Sequence, residues 1–233
     1  MVVLTVDGLE IKVPRGTKLL QACLDNGIYI PNLCYLEGME RPPSSCRLCL
    51  VEIEGRPGPV PSCSLEVENG MVVHTSTDAL RRLQQTAFRL LVSTNSGKCS
   101  LCMANKRCEM QRIAKFLHMP LRTKRLRHIP KDMPRIIEEH PCIDYESNKC
   151  VLCGRCIYVC GRQEDAPFHL DFAGRGFNTV ISFFGSELPG VAEYCRDCGA
   201  CIAACPVGAL SYREDRQRFL QQLERNKASR ARK

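Results

Sequence analysis

Residues 149–160 read KCVLCGRCIYVC and residues 194–206 read YCRDCGACIAACP, so the spacing C-x2-C-x2-C-x3-C occurs twice in one chain. The repeat takes eight of the 17 cysteines in 233 residues, and whatever holds those thiols together decides the fold. The amino terminus, MVVLTVDGLEIKVPRG, lacks the basic start and apolar run of a secretory signal. No stretch approaches the roughly 18 uninterrupted apolar residues that a spanning helix requires. A soluble, cytoplasmic chain is expected, and in a reducing cytosol clustered cysteines serve as metal ligands or redox groups more often than as disulfides. The odd total also excludes complete pairing. Aromatic residues make up only 6%, with no tryptophan, so two or three small cofactor-held modules are expected in place of one large aromatic core.

The repeated spacing is the bacterial two-cluster run, in which three closely spaced thiolates bind one [4Fe–4S] cube and the fourth crosses to another cube. Two copies satisfy each other. Cys150, Cys153 and Cys156 are expected to join Cys205 on one cube, and Cys195, Cys198 and Cys201 to join Cys160 on the second. Pro206 follows Cys205 as the motif expects, whereas Gly161 follows Cys160 where proline is usual; proline shapes the turn and donates no ligand. Gly154 and Gly199 fall where the backbone must wrap tightly. Structural zinc is the competing reading of paired C-x2-C motifs, but zinc closes a tetrahedron with four ligands, and a third cysteine two residues further on fits a cube better.

Upstream, VVLTV (2–6) and LEIKV (9–13) are strand-like runs joined by Asp7-Gly8, a strong hairpin signal. Thr17 is placed to cap a short helix, LLQACLDN, which Gly27 ends. Residues 48–54 and 71–75 read as further strands. Within this α+β module, Cys34, Cys46, Cys49 and Cys63 suit a [2Fe–2S] centre, again with zinc as the alternative. From Asp78, a cap candidate, the period turns helical through Leu80, Leu83, Ala87, Leu90 and Leu91, predicting a helix over 79–93. It leads to Cys99, Cys102 and Cys108, three thiols and so one short of a closed cube.

Cys23, on the apolar side of its helix, and Cys142 read as structural thiols. His128, His140 and His169 lack metal-ligand spacing and read as solvated or hydrogen-bonded. The formal net charge is +8, but three four-thiolate clusters at about −2 each and a fourth with three thiolates would remove roughly seven units, which discounts nucleic acid as a partner. Basic runs remain at 120–135 and from Arg213 to Lys233, as docking segments or solvated charge. Neither a G-x-G-x-x-G nor a P-loop is present, so no flavin or nicotinamide is expected on this chain, and no catalytic residues are assigned.

Taken in order, GIYIPNLCY with Cys34, SCRLC with Cys46 and Cys49, Cys63, the KCSLC and RCEMQ group, and NKCVLCGRC resemble one family over about residues 1–212. It is the amino-terminal iron–sulfur region shared by the complex I large iron–sulfur subunit, the diaphorase small subunit of NAD-reducing hydrogenases, and the front ends of iron-only hydrogenases and NAD-dependent formate dehydrogenases. The resemblance implies a β-grasp [2Fe–2S] domain (1–78), a helical segment with a three-cysteine [4Fe–4S] site (79–119), a basic proline-containing connector (120–148), a two-cube ferredoxin-like domain (149–212) and a basic tail (213–233). In that family a histidine four residues before Cys99 completes the third cube, and here Asn95 holds the place. Three accounts stay open. Asn95 or another donor (His118, His74, Ser93, Thr94, Ser96, Lys98) ligates, one iron stays open to water, or the cluster is missing.

The expected cofactors are therefore one [2Fe–2S] and two all-cysteine [4Fe–4S] clusters, with a third [4Fe–4S] favoured by the retained cysteines. The expected role is a subunit carrying single electrons between a flavin-containing NAD(P)H-binding subunit and a second redox catalytic subunit of a soluble hetero-oligomeric complex: a hydrogenase, formate dehydrogenase or electron-bifurcating enzyme. The alternatives are a zinc-structured interaction or RNA-binding scaffold and a free-standing polyferredoxin.

Overall fold

A computed structural model describes residues 1–95, 98–122, 136–163, 166 and 169–231. Most of the 120–135 basic run, with His128, and Ser96 lie outside the described residues. The chain divides into two compact units, residues 1–92 with 112–126, and residues 93–111 with 127–233.

The first unit is organised by a mixed sheet. β1 (Val2–Val6) and β2 (Leu9–Val13) pair antiparallel through the Asp7-Gly8 turn, whose φ values of 49° and 84° have the positive sign that such a hairpin turn demands. The short helix α1 (Leu19–Asp25) follows. Lys18, not Thr17, occupies its cap position, because the Thr17 hydroxyl donates to the Pro14 carbonyl at 2.9 Å. Gly27, at φ 74°, ends the helix as expected. β3 (Leu50–Ile53), β4 (Val60–Pro61) and β5 (Val72–His74) complete the order β2-β1-β5-β3-β4, with β1 and β5 parallel. Alternate residues Val2, Leu4 and Val6 turn inward and are fully or nearly fully buried with Leu19, Leu20, Cys23, Val51 and Val73.

α2 (Asp78–Thr94) forms where the period predicted it, with two differences. Its cap is Thr77, whose hydroxyl accepts the Leu80 N–H at 3.2 Å, and Asp78 instead sets its charge in the first turn. Its buried stripe is Leu80, Gln84, Phe88 and Val92, while Leu83 and Leu90 face outward. Gln84 is tolerated inside because its amide donates to the Leu50 carbonyl at 3.3 Å. α3 (Glu109–Phe116) ends against α2: Arg81 and Gln85 donate to the last carbonyls, of Phe116 and Leu117, at 3.1 Å each.

The second unit carries the repeat. β6 (Ile143–Tyr145) precedes the first copy, whose last cysteines lie on α4 (Arg155–Cys160). β7 (His169–Ala173) and β8 (Val180–Phe184) form a hairpin between the copies. The second copy lies on α5 (Val191–Cys198) and α6 (Ala200–Ala204), and β9 (Leu210–Tyr212) returns to pair antiparallel with β6. α7 (Arg213–Ala231) continues from it. The head of this basic tail is committed internally. Arg213 binds the buried Asp144 carboxylate at 2.8 Å and the His140 carbonyl at 2.9 Å, and Arg216 reaches Asp144 at 3.8 Å. No helix among the described residues is long and apolar enough to cross a membrane.

Candidate metal centres

In the first unit all four expected cysteines come together and are buried. The Cys34 and Cys46 sulfurs stand 3.4 Å apart, and Ser44 Oγ lies 3.3 Å from the Cys63 sulfur. The loop that delivers them bends through left-handed conformations at Ser44 (φ 51°) and Arg47 (φ 54°), strained for residues with a Cβ. Ser62 fixes the loop to β4 by giving both its N–H and its hydroxyl to the Cys49 carbonyl. Protons are shared unequally among the sulfurs. Hydrogen bonds from Cys46 and Cys63 hold the Cys34 thiol well below the usual range, and one from Cys63 lowers Cys49; Cys46 and Cys63 are pushed up in return.

The second unit holds two cysteine-lined pockets. Cys150, Cys153, Cys156 and Cys205 share one with Tyr145 and Ile181. Cys160, Cys195, Cys198 and Cys201 share the other with Tyr194 and Gly199. Each thus takes three sulfurs from one copy of the repeat and the fourth from the other copy. In the first, the Leu152 N–H approaches the Cys150 sulfur at 3.4 Å, turned inward by the positive φ of Leu152 (52°), and the Ala209 N–H approaches Cys205 at 3.2 Å. Gly154 and Gly199 are both left-handed, at φ 74° and 56°.

Burial pushes the Cys153, Cys195 and Cys201 thiols up to about 12 and lifts Cys156 as well. A lone thiolate is penalised at each position, so a ring of four is tolerable only with cations among them. The donor set therefore fits an iron–sulfur group. Among the described residues no three His, Cys, Asp or Glu side chains are arranged to hold a single metal ion.

The remaining triplet is half-exposed. Cys99 opens a single 3-10 turn and Cys102 closes it, its N–H on the Cys99 carbonyl at 3.1 Å. Cys108 immediately precedes α3, where its carbonyl accepts the Gln111 N–H at 3.0 Å and the Gln111 and Met110 N–H groups lie close enough to its sulfur to lower the thiol. Burial is nonetheless the largest influence and raises that thiol, with the Cys102 and Cys99 charges adding. Asn95 follows α2 and donates its amide to the Lys149 carbonyl at 2.9 Å and toward the Met110 sulfur at 3.7 Å. Of the other donors considered, His74 pairs with Glu54 at 3.2 Å, and His118 stands exposed beyond α3.

Cys23 is a core thiol at 0% exposure, pushed up to about 12 by burial and then by the Asp7 charge. Cys142 is buried and points at the Ala192 carbonyl, 3.6 Å away. His140 accepts the Cys142 and Ile143 N–H groups on Nδ1, and His169 stacks on Phe184. Sequence reasoning passed over Tyr145, five residues before Cys150, and Tyr212, whose hydroxyl donates to the Cys195 and Arg196 carbonyls at 3.0 Å each. Only their nearness to the cysteine runs hinted at them.

Residues 1–78 match the family model of a 2Fe-2S iron-sulfur cluster binding domain, and residues 191–211 match that of a 4Fe-4S binding domain. Over 90% of its length the chain is 32% identical to the NADP-reducing hydrogenase subunit HndD of Solidesulfovibrio fructosivorans, of which it covers 36%. Over 91% it is 32% identical to the NADH-ubiquinone oxidoreductase 75 kDa subunit of Reclinomonas americana, of which it covers 29%. The chain thus spans about a third of the length of these curated relatives. A crystal structure of NAD+-reducing [NiFe]-hydrogenase in the H2-reduced state contains a chain that aligns with a TM-score of 0.76 and 27% identity, covering 91% of this chain and 87% of that one. The resemblance read from the cysteine order is therefore present in both sequence and fold.

Proposed function

We propose that this chain is the electron-relay part of an NAD(P)-linked oxidoreductase complex, exchanging single electrons with a flavin-bearing, NAD(P)H-binding subunit on one side and a second redox catalytic subunit on the other. The observation that carries the reading is the crossed pair of four-cysteine pockets, joined to a separate buried four-cysteine site and to the likeness to subunits of NAD(P)-linked complexes. Iron–sulfur clusters, when bound, supply one-electron redox chemistry. The chain's own residues hold them, exclude water and set the hydrogen bonds to sulfur.

In this reading the sheet of the first unit is a β-grasp module with Cys34, Cys46, Cys49 and Cys63 on a [2Fe–2S] cluster. The two pockets hold all-cysteine [4Fe–4S] cubes, and Cys99, Cys102 and Cys108 hold a third. Asn95 already commits its amide nitrogen to Lys149, so any ligation by it falls to Oδ1, a weaker donor than imidazole. Asn95→His would then change that cluster's spectrum and potential; an unchanged spectrum would remove oxygen ligation from the account. We place the complex in the cytoplasm, with substrate conversion on its other subunits. Neither a zinc scaffold nor a free-standing polyferredoxin is favoured by the likenesses.

The test is anaerobic isolation from the native host. About 14 irons per chain with matching acid-labile sulfide, and co-purification of a flavoprotein, are expected. Colourless protein holding zinc, or iron that cannot be reduced, would overturn the reading.

A further inference from the structure

Tyr145 lies on β6 at 0% exposure, its ring edge-on to Phe183 at 6.4 Å. A phenol hydroxyl placed so deeply must satisfy both its oxygen and its proton. The oxygen accepts the Ile181 N–H at 3.3 Å, so β8 fixes the rotor from one side. The proton is left to find an acceptor, and Tyr145 lines the pocket shared with Cys150, Cys153, Cys156 and Cys205, where burial first and the Cys150 charge next bear on the phenol. Cys150 already receives the Leu152 N–H at 3.4 Å.

The second pocket is furnished differently. Its nearby phenol, Tyr212, gives its proton to the Cys195 and Arg196 carbonyl oxygens. The two copies of the repeat share a cysteine spacing, yet Tyr145 lines its cysteine pocket while Tyr212 is bound to backbone carbonyls.

We infer that the Tyr145 hydroxyl donates to the Cys150 sulfur, and that Tyr145 is thereby a positioning residue that sets the reduction potential of the first pocket's cluster, holding it above the value that the cysteine ring alone would give. The sign follows from charge. Reduction adds an electron to a group that is already anionic, and a donor to thiolate sulfur stabilises the more negative state. Hydrogen bonds to sulfur are among the few levers by which a protein distinguishes two clusters of one type.

This inference rests on the reading that the pocket holds a [4Fe–4S] cluster, and the experiment separates the two. Wild-type holoprotein and Tyr145→Phe are titrated electrochemically with EPR detection. One [4Fe–4S] signal is expected to shift to more negative potential in the variant while the others stay in place, and Tyr212→Phe is expected to leave that signal where wild type has it. Wild-type protein without reducible [4Fe–4S] signals would end the functional reading. Wild-type signals present and unmoved by Tyr145→Phe would end the inference alone. Should Tyr145→Phe not accumulate as holoprotein, a fluorinated tyrosine at this position, nearly isosteric and a stronger donor, is expected to move the same signal upward, and no movement would overturn the proposal.

Discussion

The hydroxyl of Tyr212 stands 2.7 Å from the point that a Cβ on Gly199 would occupy. Gly154, at the equivalent place in the other copy of the repeat, would meet only the Phe172 ring edge, at an ordinary 3.7 Å. Both glycines are left-handed, so alanine at either costs roughly 1–2 kcal/mol in backbone conformation. Gly199→Ala must also displace the single Tyr212 proton shared between two carbonyls, about 1 kcal/mol for the hydrogen bond lost. Gly199→Ala is therefore expected to be the more destabilised of the two by about 1 kcal/mol, measured by denaturant unfolding. Equal losses would show that Tyr212 yields freely.

Asp144 is 1% exposed at its side chain and is held by Arg213 and Arg216. Arg213→Ala would leave a buried carboxylate short of its nearest cation, and a cost of about 3 kcal/mol is expected, at the lower end because Arg213 is partly solvated. Arg218→Ala, further along α7 and paired with the half-exposed Asp215, should cost less than about 1 kcal/mol. Thermal midpoints of the two variants decide this. It follows that truncation after Tyr212 does not isolate a docking role for the tail, whereas truncation after Arg225 leaves both arginines in place.

Burial and the Arg213 charge hold the His140 imidazole down at about 4. The unfolded chain takes up a proton near pH 6.5 and the folded chain does not, so the stability His140 contributes is fully present above about 6.5 and is lost as pH falls toward 4. The loss amounts to at most about 3 kcal/mol. His140→Asn offers an oxygen to the same N–H groups and cannot titrate, so its stability relative to wild type should improve as pH falls from 6.5 to 4. A difference that stays constant with pH would refute this.

Two buried cysteines of the first unit should behave oppositely. Cys34→Ser is expected to remove the [2Fe–2S] signal and about two irons, because Cys34 sits among the sulfurs of its site. Cys23→Ser should keep all the iron and lose about 1–3 kcal/mol of stability, the cost of a hydroxyl in an apolar core. Iron analysis with unfolding curves separates them.

The local parts of this molecule were legible because they are encoded locally. Asp7-Gly8 fixes its hairpin through backbone conformation, and the repeated cysteine spacing named the partners that line each pocket before any fold was seen. Long-range contacts were less legible. The stripe on α2 uses Gln84 and leaves Leu83 and Leu90 outside, because the surface opposite the helix, including the Leu50 carbonyl, selects its inner face. Thr77 caps that helix because a hydroxyl reaches the third N–H, a choice that composition left open with Asp78. The β7–β8 hairpin between the two cysteine runs turns through a six-residue GRGFNT loop, longer than the tight two-residue signal of Asp7-Gly8, and the Ile181 bond to Tyr145 joins residues 36 apart, beyond the reach of local pattern.

Cys160 and Cys205 each complete the pocket of the other run, so the two pockets are linked like clasped hands. A chain severed at the β7–β8 turn would yield fragments neither of which owns a whole ring of sulfurs. Completion of either ring is thus bound to reassociation of the halves, and co-production of the fragments is expected to regain both four-sulfur rings together or neither.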